Sequence, residues 1–177
     1  MSKILKLTAA LCFTATVITS AIFHCCSIDL YLTLAITFGT TTYHLGIRLL
    51  VGALYSLIMK NQADYTKKWY QVHSWESKLY SLLKVKTWKN KLPTYDPESF
   101  SRQKHTWDEI AQAMCQSELV HETNMVLSFL PLIASFWFGS FFVFLITSLC
   151  GAAFDLCFVV IQRYNRSRIM RIIRRQR

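Results

Sequence analysis

Glu118 and His121 are the pair of side chains best suited to acid–base chemistry in this sequence. They stand three residues apart, so on a helix they share one face. A carboxylate can orient an imidazole and fix its tautomer, and the imidazole can then take a proton from an attacking hydroxyl. Glu118 and His121 are therefore the candidate catalytic residues. A polar helix end at an interface, without catalytic work, is the alternative interpretation.

A metal site is the other chemistry that this spacing suggests. Di-metal carboxylate bundles use Glu-x-x-His, but they need a second such pair, which this sequence lacks. The six cysteines form no Cys-x-x-Cys pair, so a zinc ribbon or thioredoxin-like motif is unsupported. We therefore expect no metal site, and we interpret the cysteines as structural.

Three further ionisable residues, His44, Arg48 and Asp155, stand inside apolar stretches. His44 and Arg48 are four residues apart and would share a helix face. Charged groups within a membrane span are costly, so they usually face a bundle interior, a partner or a wet cavity. We expect Arg48 to pair with Asp155 or Glu118, or to serve a site. His44 is expected to be a hydrogen-bonded packing residue or part of that site.

Two basic clusters could bind phosphate. Residues 84–91 place four lysines around Trp88, and residues 162–168 mix arginines with neutral polar groups. Anchoring to anionic lipid explains such clusters at about 1 kcal/mol per basic residue. The interleaved polar groups of the second cluster are not needed for anchoring, and the arginine fork suits phosphate. The candidate donor- or substrate-binding residues are Lys84, Lys86, Trp88, Lys89, Gln162, Arg163, Tyr164, Asn165, Arg166 and Arg168.

Long apolar stretches must position these residues. A spanning helix needs about 20 mostly apolar residues, and residues 7–28 and 30–59 meet that length. Residues 125–161 would extend about 55 Å as one helix, which is too long for one crossing. We therefore expect a hairpin that turns at residues 138–140. Thr106 and Glu109 have the spacing of a capping box, which would start the helix of the first arm.

The predicted fold is a single integral membrane domain over residues 1–177. It is an all-α, multi-pass bundle of about four transmembrane helices with an amphipathic cytoplasmic segment. The predicted spans are residues 7–28, 30–59, 118–138 and 141–161, with a cytoplasmic segment at 60–117 and a basic tail at 162–177.

The distribution of charge predicts the orientation of these spans. The chain has 20 Lys and Arg against 10 Asp and Glu, a net charge of +10. Two basic residues precede the first span, ten lie in residues 60–104 and seven in the tail, so four spans place them all on one side. The positive-inside rule then predicts cytoplasmic termini at the cell membrane. Because the charges alternate with long apolar runs, nucleic-acid binding is excluded.

The amino end could also be a cleaved signal peptide, with Lys3 and Lys6 before an apolar run. That run exceeds the usual apolar core of about 7–15 residues, and no clear Ala-x-Ala site ends it. Cleavage would also move the basic segments to the wrong side. We therefore expect an uncleaved first span.

Three segments in this order resemble a known family: residues 86–93, 118–121 and 162–168. They look like those of the glycosyl-4,4'-diaponeurosporenoate acyltransferases of staphyloxanthin-type carotenoid synthesis. The resemblance covers residues 84–168, about half of the chain. It implies a membrane-bound enzyme that transfers a fatty acyl group to a sugar hydroxyl of a glycosylated carotenoid acid, giving a staphyloxanthin-like product.

The resulting hypothesis is that Glu118 orients His121, which deprotonates a glycosyl hydroxyl as it attacks an acyl thioester. The basic residues would bind the phosphates of the donor if it is acyl-CoA, Trp88 could stack on a ring, and no cofactor is bound. The expected partners are membrane lipid, the glycosylated acceptor and other enzymes of the pathway. Two alternatives are an acyltransferase for another glycolipid or a polyol, and a non-catalytic membrane partner protein.

Overall fold

The computed structural model of this chain describes residues 2–176, and over that range it is helical without strands. Helix makes up 80% of it. Four helical segments are long and apolar enough to cross a membrane: Lys3–Cys26, Asp29–Met59, Trp107–Phe138 and Phe141–Gln176. These findings confirm the predicted all-α membrane fold.

Seven α-helices follow one another in the described part of the chain. They are α1 (Ser2–Cys26), α2 (Asp29–Met59), α3 (Ser74–Leu82), α4 (Val85–Trp88), α5 (Trp107–Leu127), α6 (Ser135–Phe138) and α7 (Phe141–Gln176). Short 3-10 turns lie at Lys68–Tyr70, Glu98–Phe100 and Leu130–Ala134.

Helices α1 and α2 form a hairpin that turns at Ser27, which has a positive φ of 52°. They approach closely at Gly39, where a Cβ atom would lie 3.4 Å from Thr16 Cγ2. Much of the α1 surface is exposed and apolar, including Leu7 and Leu11. Such a surface suits contact with lipid, so α1 lies at the edge of the bundle.

Helix α5 begins at the predicted capping box. The Glu109 backbone N–H donates to Thr106 Oγ1 at 3.3 Å, and the Thr106 backbone N–H donates to Glu109 Oε2 at 2.7 Å. The helix ends at Leu127, and the chain continues through a 3-10 turn with Pro131 near its start. Because proline has no backbone N–H, it cannot continue the α-helical hydrogen bonding.

The second hairpin turns at Gly139 and Ser140, whose φ values are 65° and 52°. This confirms the turn predicted from the sequence. Helix α7 then runs without a break from Phe141 to Gln176, so the basic residues after 161 continue the apolar helix before them. Arg177, the last residue of the predicted tail, lies outside the described residues.

Helices α2, α5 and α7 enclose the polar side chains. The Tyr43 hydroxyl on α2 donates to the Leu127 carbonyl at 2.7 Å, and the Asn61 N–H just after α2 donates to Gln116 Oε1 at 2.7 Å. Helix α2 therefore runs antiparallel to α5. We use the term basic end for the end of the bundle where residues 60–106 and 162–176 lie.

Residues 60–106 contribute side chains that pack against α5 and α7. Ala63 and Tyr70 are buried against Cys115 of α5. Nearby, Ile110 of α5 packs against Ile169 of α7. This apolar core places the segment before α3 beside the charged residues of α5 and α7.

Candidate functional site

Glu118 is fully buried at the basic end, where two arginines of α7 bind its carboxylate. Arg163 Nη1 donates to Oε1 at 2.6 Å, and Arg166 Nη1 donates to Oε2. Both carboxylate oxygens are thus occupied, and the expected contact between Glu118 and His121 does not form. The two residues share a face of α5 but are nearly one turn apart, so each meets a different level of α7.

Arg163 also joins this site to α3 and to the segment before it. Its Nε and Nη2 atoms each donate to the Glu76 carboxylate at 2.8 Å, in the paired geometry that favours arginine. The same guanidinium donates to the carbonyls of Trp69 and Gln71 at 3.1 and 3.0 Å. One side chain therefore fastens this segment to α5 and α7.

The pKa of Glu76 reflects how strongly this pairing favours the ionised carboxylate. Burial alone would raise it, but hydrogen bonds from Arg163 and from the Tyr80 hydroxyl outweigh burial and lower the pKa to about 2. Burial and the neighbouring carboxylate both raise the pKa of Tyr80. Glu76 is consequently ionised, and Tyr80 is protonated, at any neutral pH.

Arg166 is buried almost completely, with 1% of its surface exposed. Its Nη2 atom donates to the Tyr70 carbonyl at 2.7 Å, and its guanidinium carbon lies 5.3 Å from the centre of the Tyr70 ring. Burial also raises the pKa of Tyr70 to about 12. The arginine is thus enclosed by a carboxylate, a carbonyl and an aromatic face.

We name these four charged residues the arginine clamp: Glu76, Glu118, Arg163 and Arg166. The sequence-based hypothesis assigned Arg163 and Arg166 to phosphate binding, but the structure engages both guanidinium groups in ion pairs inside the protein. Removing one partner of such a pair leaves an uncompensated buried charge, at a cost of about 3–5 kcal/mol. The clamp therefore joins α3, α5 and α7 through ion pairs inside the protein.

His121 finds its carboxylate on α7 instead. Its Nδ1 atom lies 2.9 Å from Asp155 Oδ1, and Asp155 is fully buried. The imidazole stacks on Phe158 with ring centroids 4.6 Å apart and an interplanar angle of 10°. Asp155 thus takes the orienting position that the sequence analysis gave to Glu118.

Arg48 of α2 forms an ion pair with the same carboxylate. Its Nη2 atom lies 2.5 Å from Asp155 Oδ2 and donates to the Gly151 carbonyl at 3.0 Å. Its Nη1 atom donates to the His44 carbonyl at 2.5 Å. The pairing with Asp155, one of the two partners expected for Arg48, is confirmed.

Gly151 allows α2 and α7 to approach at this level. A Cβ atom at this position would lie 3.2 Å from Arg48 Nη2, from His44 Nδ1 and from Ser128 Oγ. Those distances are tighter than ordinary van der Waals contact, so any larger residue must displace these polar side chains. Glycine lets these three side chains keep their positions.

Several buried polar atoms of α2, α5 and α7 have no hydrogen-bond partner among residues 2–176. They include Asn124 Oδ1, Ser148 Oγ and both ring nitrogens of His44. Asn124 and Ser148 are 1% and 0% exposed. The hydrogen bond expected for a packing role of His44 is not formed by its ring. We name this group the membrane polar core: His44, Arg48, His121, Asn124, Ser148 and Asp155.

The remaining basic residues gather on the outside of the basic end. Lys89 Nζ donates to Asn165 Oδ1 at 2.7 Å and lies 5.4 Å from the centre of the Tyr164 ring. Burial lowers the pKa of Lys89, and the charge of Arg168 lowers it further. The two sequence clusters therefore meet in space. Lys84, Lys86 and Arg168 are exposed, whereas Gln162 is buried.

Trp88, expected to stack on a ring, is partly buried, and its indole Nε1 donates to the Leu83 carbonyl at 2.9 Å. Within residues 2–176, no three His, Cys, Asp or Glu side chains come close enough to share a metal ion. The outer surface of the basic end carries the exposed cations Lys84, Lys86 and Arg168. Such a surface suits a phosphate-bearing molecule.

Sequence reasoning missed Asn124, Ser128 and Ser148, and it misassigned the partner of His121. A signal for them exists, because buried polar residues repeat along single helix faces. Along α5 and the residue that caps its end, the face is half-buried His121 with buried Asn124 and Ser128, and on α7 it is Ser148, Asp155, Gln162 and Arg166. Polar stripes of this spacing on apolar helices indicate a bundle interior.

Comparison with known proteins gives one family match. The sequence model of a family described as glycosyl-4,4'-diaponeurosporenoate acyltransferase matches residues 66–175, well over half of the chain. No curated protein and no solved structure matches. The matched region contains the arginine clamp, His121 and Asp155, whereas His44 and Arg48 precede it.

Proposed function

The chain belongs to the glycosyl-4,4'-diaponeurosporenoate acyltransferase family, and we propose that it transfers a fatty acyl group to a sugar hydroxyl of a glycosylated carotenoid acid. As a member of this family it is an acyltransferase. The product would be a staphyloxanthin-like ester. The observation that carries the proposed site is the 2.9 Å contact between His121 Nδ1 and Asp155 Oδ1.

His121 is the proposed general base. When Nδ1–H donates to Asp155, the tautomer is fixed and Nε2 carries the lone pair that accepts a proton. No hydrogen bond to His121 Nε2 is formed by the described residues. The stacked ring of Phe158 holds the plane of the imidazole. This arrangement suits deprotonation of a hydroxyl as it attacks.

The proposed reaction balances without any further reactant. The sugar hydroxyl oxygen attacks the thioester carbonyl while its proton moves to His121 Nε2. A carbon–oxygen bond forms, the carbon–sulfur bond breaks, and the leaving sulfur takes the proton from the imidazole. Arg48 balances the negative charge of Asp155, which would otherwise stand alone in an apolar environment.

The site lies within reach of the basic end. Asp155 precedes Arg163 by eight residues on α7, which is about 12 Å along the helix axis. A carotenoid chain can remain between or beside the spans while its sugar approaches from the interface. This division between an apolar chain and a polar head supports a membrane location for the reaction.

The proposed donor is acyl-CoA or another acyl thioester. Of the six cations first assigned to its phosphates, Lys84, Lys86, Lys89 and Arg168 fit the role, because the clamp engages the other two. The contact of Lys89 with Asn165 supports a mixed polar and cationic surface. We place this end on the cytoplasmic side of the cell membrane by the positive-inside rule. Reporter tags at both termini, tested in intact and opened cells, check that placement.

The test is expression with a glycosylated carotenoid acid, followed by mass spectrometry of the lipid extract. Wild-type protein is expected to give the acylated glycoside, and His121→Ala is expected to abolish it while the variant remains in the membrane. Product from other glycolipids or polyols, with none from the carotenoid, would favour the broader acyltransferase alternative. If His121→Ala alters association or abundance but leaves the product unchanged, the protein is a partner rather than the catalyst.

A further inference from the structure

A pocket opens at the basic end, lined in part by the residue that follows His121 on α5. It has a volume of about 410 Å³ and is lined by Lys68, Trp69, His73, Glu122 and Arg163. That volume lies in the range of small-molecule sites, about 300–1,000 Å³. Glu122 follows His121 in the chain, so their Cα atoms are about 3.8 Å apart. The pocket is therefore lined by the chain neighbour of the proposed base.

Trp69 and Glu122 form the walls of this pocket and orient each other. The indole Nε1 of Trp69 donates to Glu122 Oε2 at 3.0 Å. Trp69 is nonetheless 64% exposed, so much of its ring surface is open. Its backbone is fixed from behind, because Arg163 of the clamp donates to the Trp69 carbonyl. The exposed ring and the adjacent carboxylate are therefore preorganised, so a ligand that binds them pays little to order these side chains.

The charges of the pocket favour a neutral polyol over a phosphate. Arg163 is neutralised by Glu76 and Glu118, so it offers little attraction to an anion. Glu122 adds a negative charge that repels phosphate, and Lys68 adds one positive charge. Carboxylates accept hydrogen bonds from hydroxyl groups, and the apolar faces of sugar rings pack on aromatic side chains.

We propose that this pocket binds the sugar ring of the acceptor, with the ring stacked on Trp69 and its hydroxyls donating to Glu122. The inference rests on the proposed function and adds the residues that select a glycosylated acceptor over the free carotenoid acid. Trp69 and Glu122 are positioning residues. They bring one sugar hydroxyl to His121 while the apolar chain remains in lipid.

The kinetic test compares Trp69→Ala and Glu122→Gln with Trp75→Ala, a matched control whose tryptophan is 60% exposed and lies outside the pocket. Both pocket variants are expected to raise KM for the glycosylated acceptor about tenfold, with smaller changes in kcat and in KM for the thioester. Trp75→Ala is expected to match the wild type. An unchanged acceptor KM, or a rise confined to the thioester KM, would overturn the sugar site.

A binding test separates the sugar site from the reaction. The inactive His121→Ala protein, purified in nanodiscs, is incubated with the glycosylated carotenoid acid or with the free acid, and retained pigment is measured by absorbance. Preferential retention of the glycoside, lost on adding Trp69→Ala or Glu122→Gln, is the expected result. Equal retention of both pigments would overturn the inference. If wild-type protein made no ester but this retention persisted, the proposed function would fail and the sugar site would stand.

Discussion

The arginine clamp and the membrane polar core both join α5 to α7, the clamp with Glu76 of α3 and the core with His44 and Arg48 of α2. They differ in how completely their polar groups are paired. In the clamp, both oxygens of Glu76 and of Glu118 accept hydrogen bonds. In the core, one ion pair is complete, but Asn124 Oδ1 and Ser148 Oγ have no partner among the described residues. The two regions therefore differ in remaining hydrogen-bonding capacity.

The fully paired groups of the clamp suit a structural role, whereas the partly unpaired groups of the core remain available for chemistry. An unpaired buried polar group costs about 1–3 kcal/mol, so folding alone gives no reason to retain it. Departures from complete pairing are expected where a protein acts on something else. The clamp fixes the segment that carries Trp69, and the core carries His121. The comparison predicts that changes in the clamp act mainly on stability and changes in the core mainly on turnover.

Asp155→Asn is expected to have the largest effect, which is a loss of turnover. The amide can no longer fix the imidazole tautomer or balance Arg48, so we expect turnover to fall about 10²–10⁴-fold. The measurement is ester formation per folded protein in nanodiscs. Asp29→Asn is the control, because Asp29 is exposed at the start of α2. Wild-type turnover in Asp155→Asn would remove Asp155 from the mechanism.

Glu118→Gln is expected to cause the largest loss of stability. Arg163 keeps Glu76 as a partner, but Arg166 loses its carboxylate, and an uncompensated buried charge costs about 3–5 kcal/mol. Thermal unfolding in detergent should show a clearly lower Tm. The matched control is Glu98→Gln, whose carboxylate pairs with Lys104 on the surface and is worth about 1 kcal/mol or less. Equal Tm values for the two variants would contradict a structural clamp.

The stability that Glu76 contributes to the clamp should depend on pH. The pKa of Glu76 is lowered from its ordinary value of 4.5 to about 2, so its stabilisation is fully present above pH 4.5 and is lost as the pH falls toward 2. The difference in unfolding free energy between wild type and Glu76→Gln should therefore shrink over this range, by at most about 3 kcal/mol. A difference that stays constant from pH 5 to pH 2.5 would show that this carboxylate is not stabilised by the clamp.

The smallest expected effect comes from Gly151→Ala. The added methyl group must displace Arg48, His44 or Ser128 by a few tenths of an ångström, so we expect a loss of about 1 kcal/mol with a measurable fall in turnover. Gly46→Ala on α2 meets no atom within 4 Å and serves as the control. It should be neutral or stabilising, because alanine favours helix. Equal turnover for the two variants would show that the core tolerates displacement.

The elements of this fold were largely predictable because their signals are local. The capping box at Thr106, the turn at Gly139 and the length of the apolar runs each depend on a few neighbouring residues. The ion pair between Arg48 and Asp155 was also predictable as one of two options, since a lone charge in a span needs a partner. Local chemistry and membrane energetics suffice for these features.

The arrangement of the candidate site was less predictable because it depends on how α5 and α7 pack. His121 and Asp155 are 34 residues apart, and the spacing between Glu118 and His121 offered a nearer partner. The register of two antiparallel helices decides which carboxylate meets which cation or imidazole. A different register would give these groups other partners, and no motif within α5 encodes the register.

The most direct test of this contrast is the turnover of folded Glu118→Gln compared with that of folded His121→Gln, measured in one nanodisc preparation series by mass spectrometry of the ester. We predict that Glu118→Gln, once folded, stays within about tenfold of wild type, whereas His121→Gln loses about 10²-fold or more. The reverse order, with Glu118→Gln inactive when folded and His121→Gln active, would contradict the division between a structural clamp and a catalytic core.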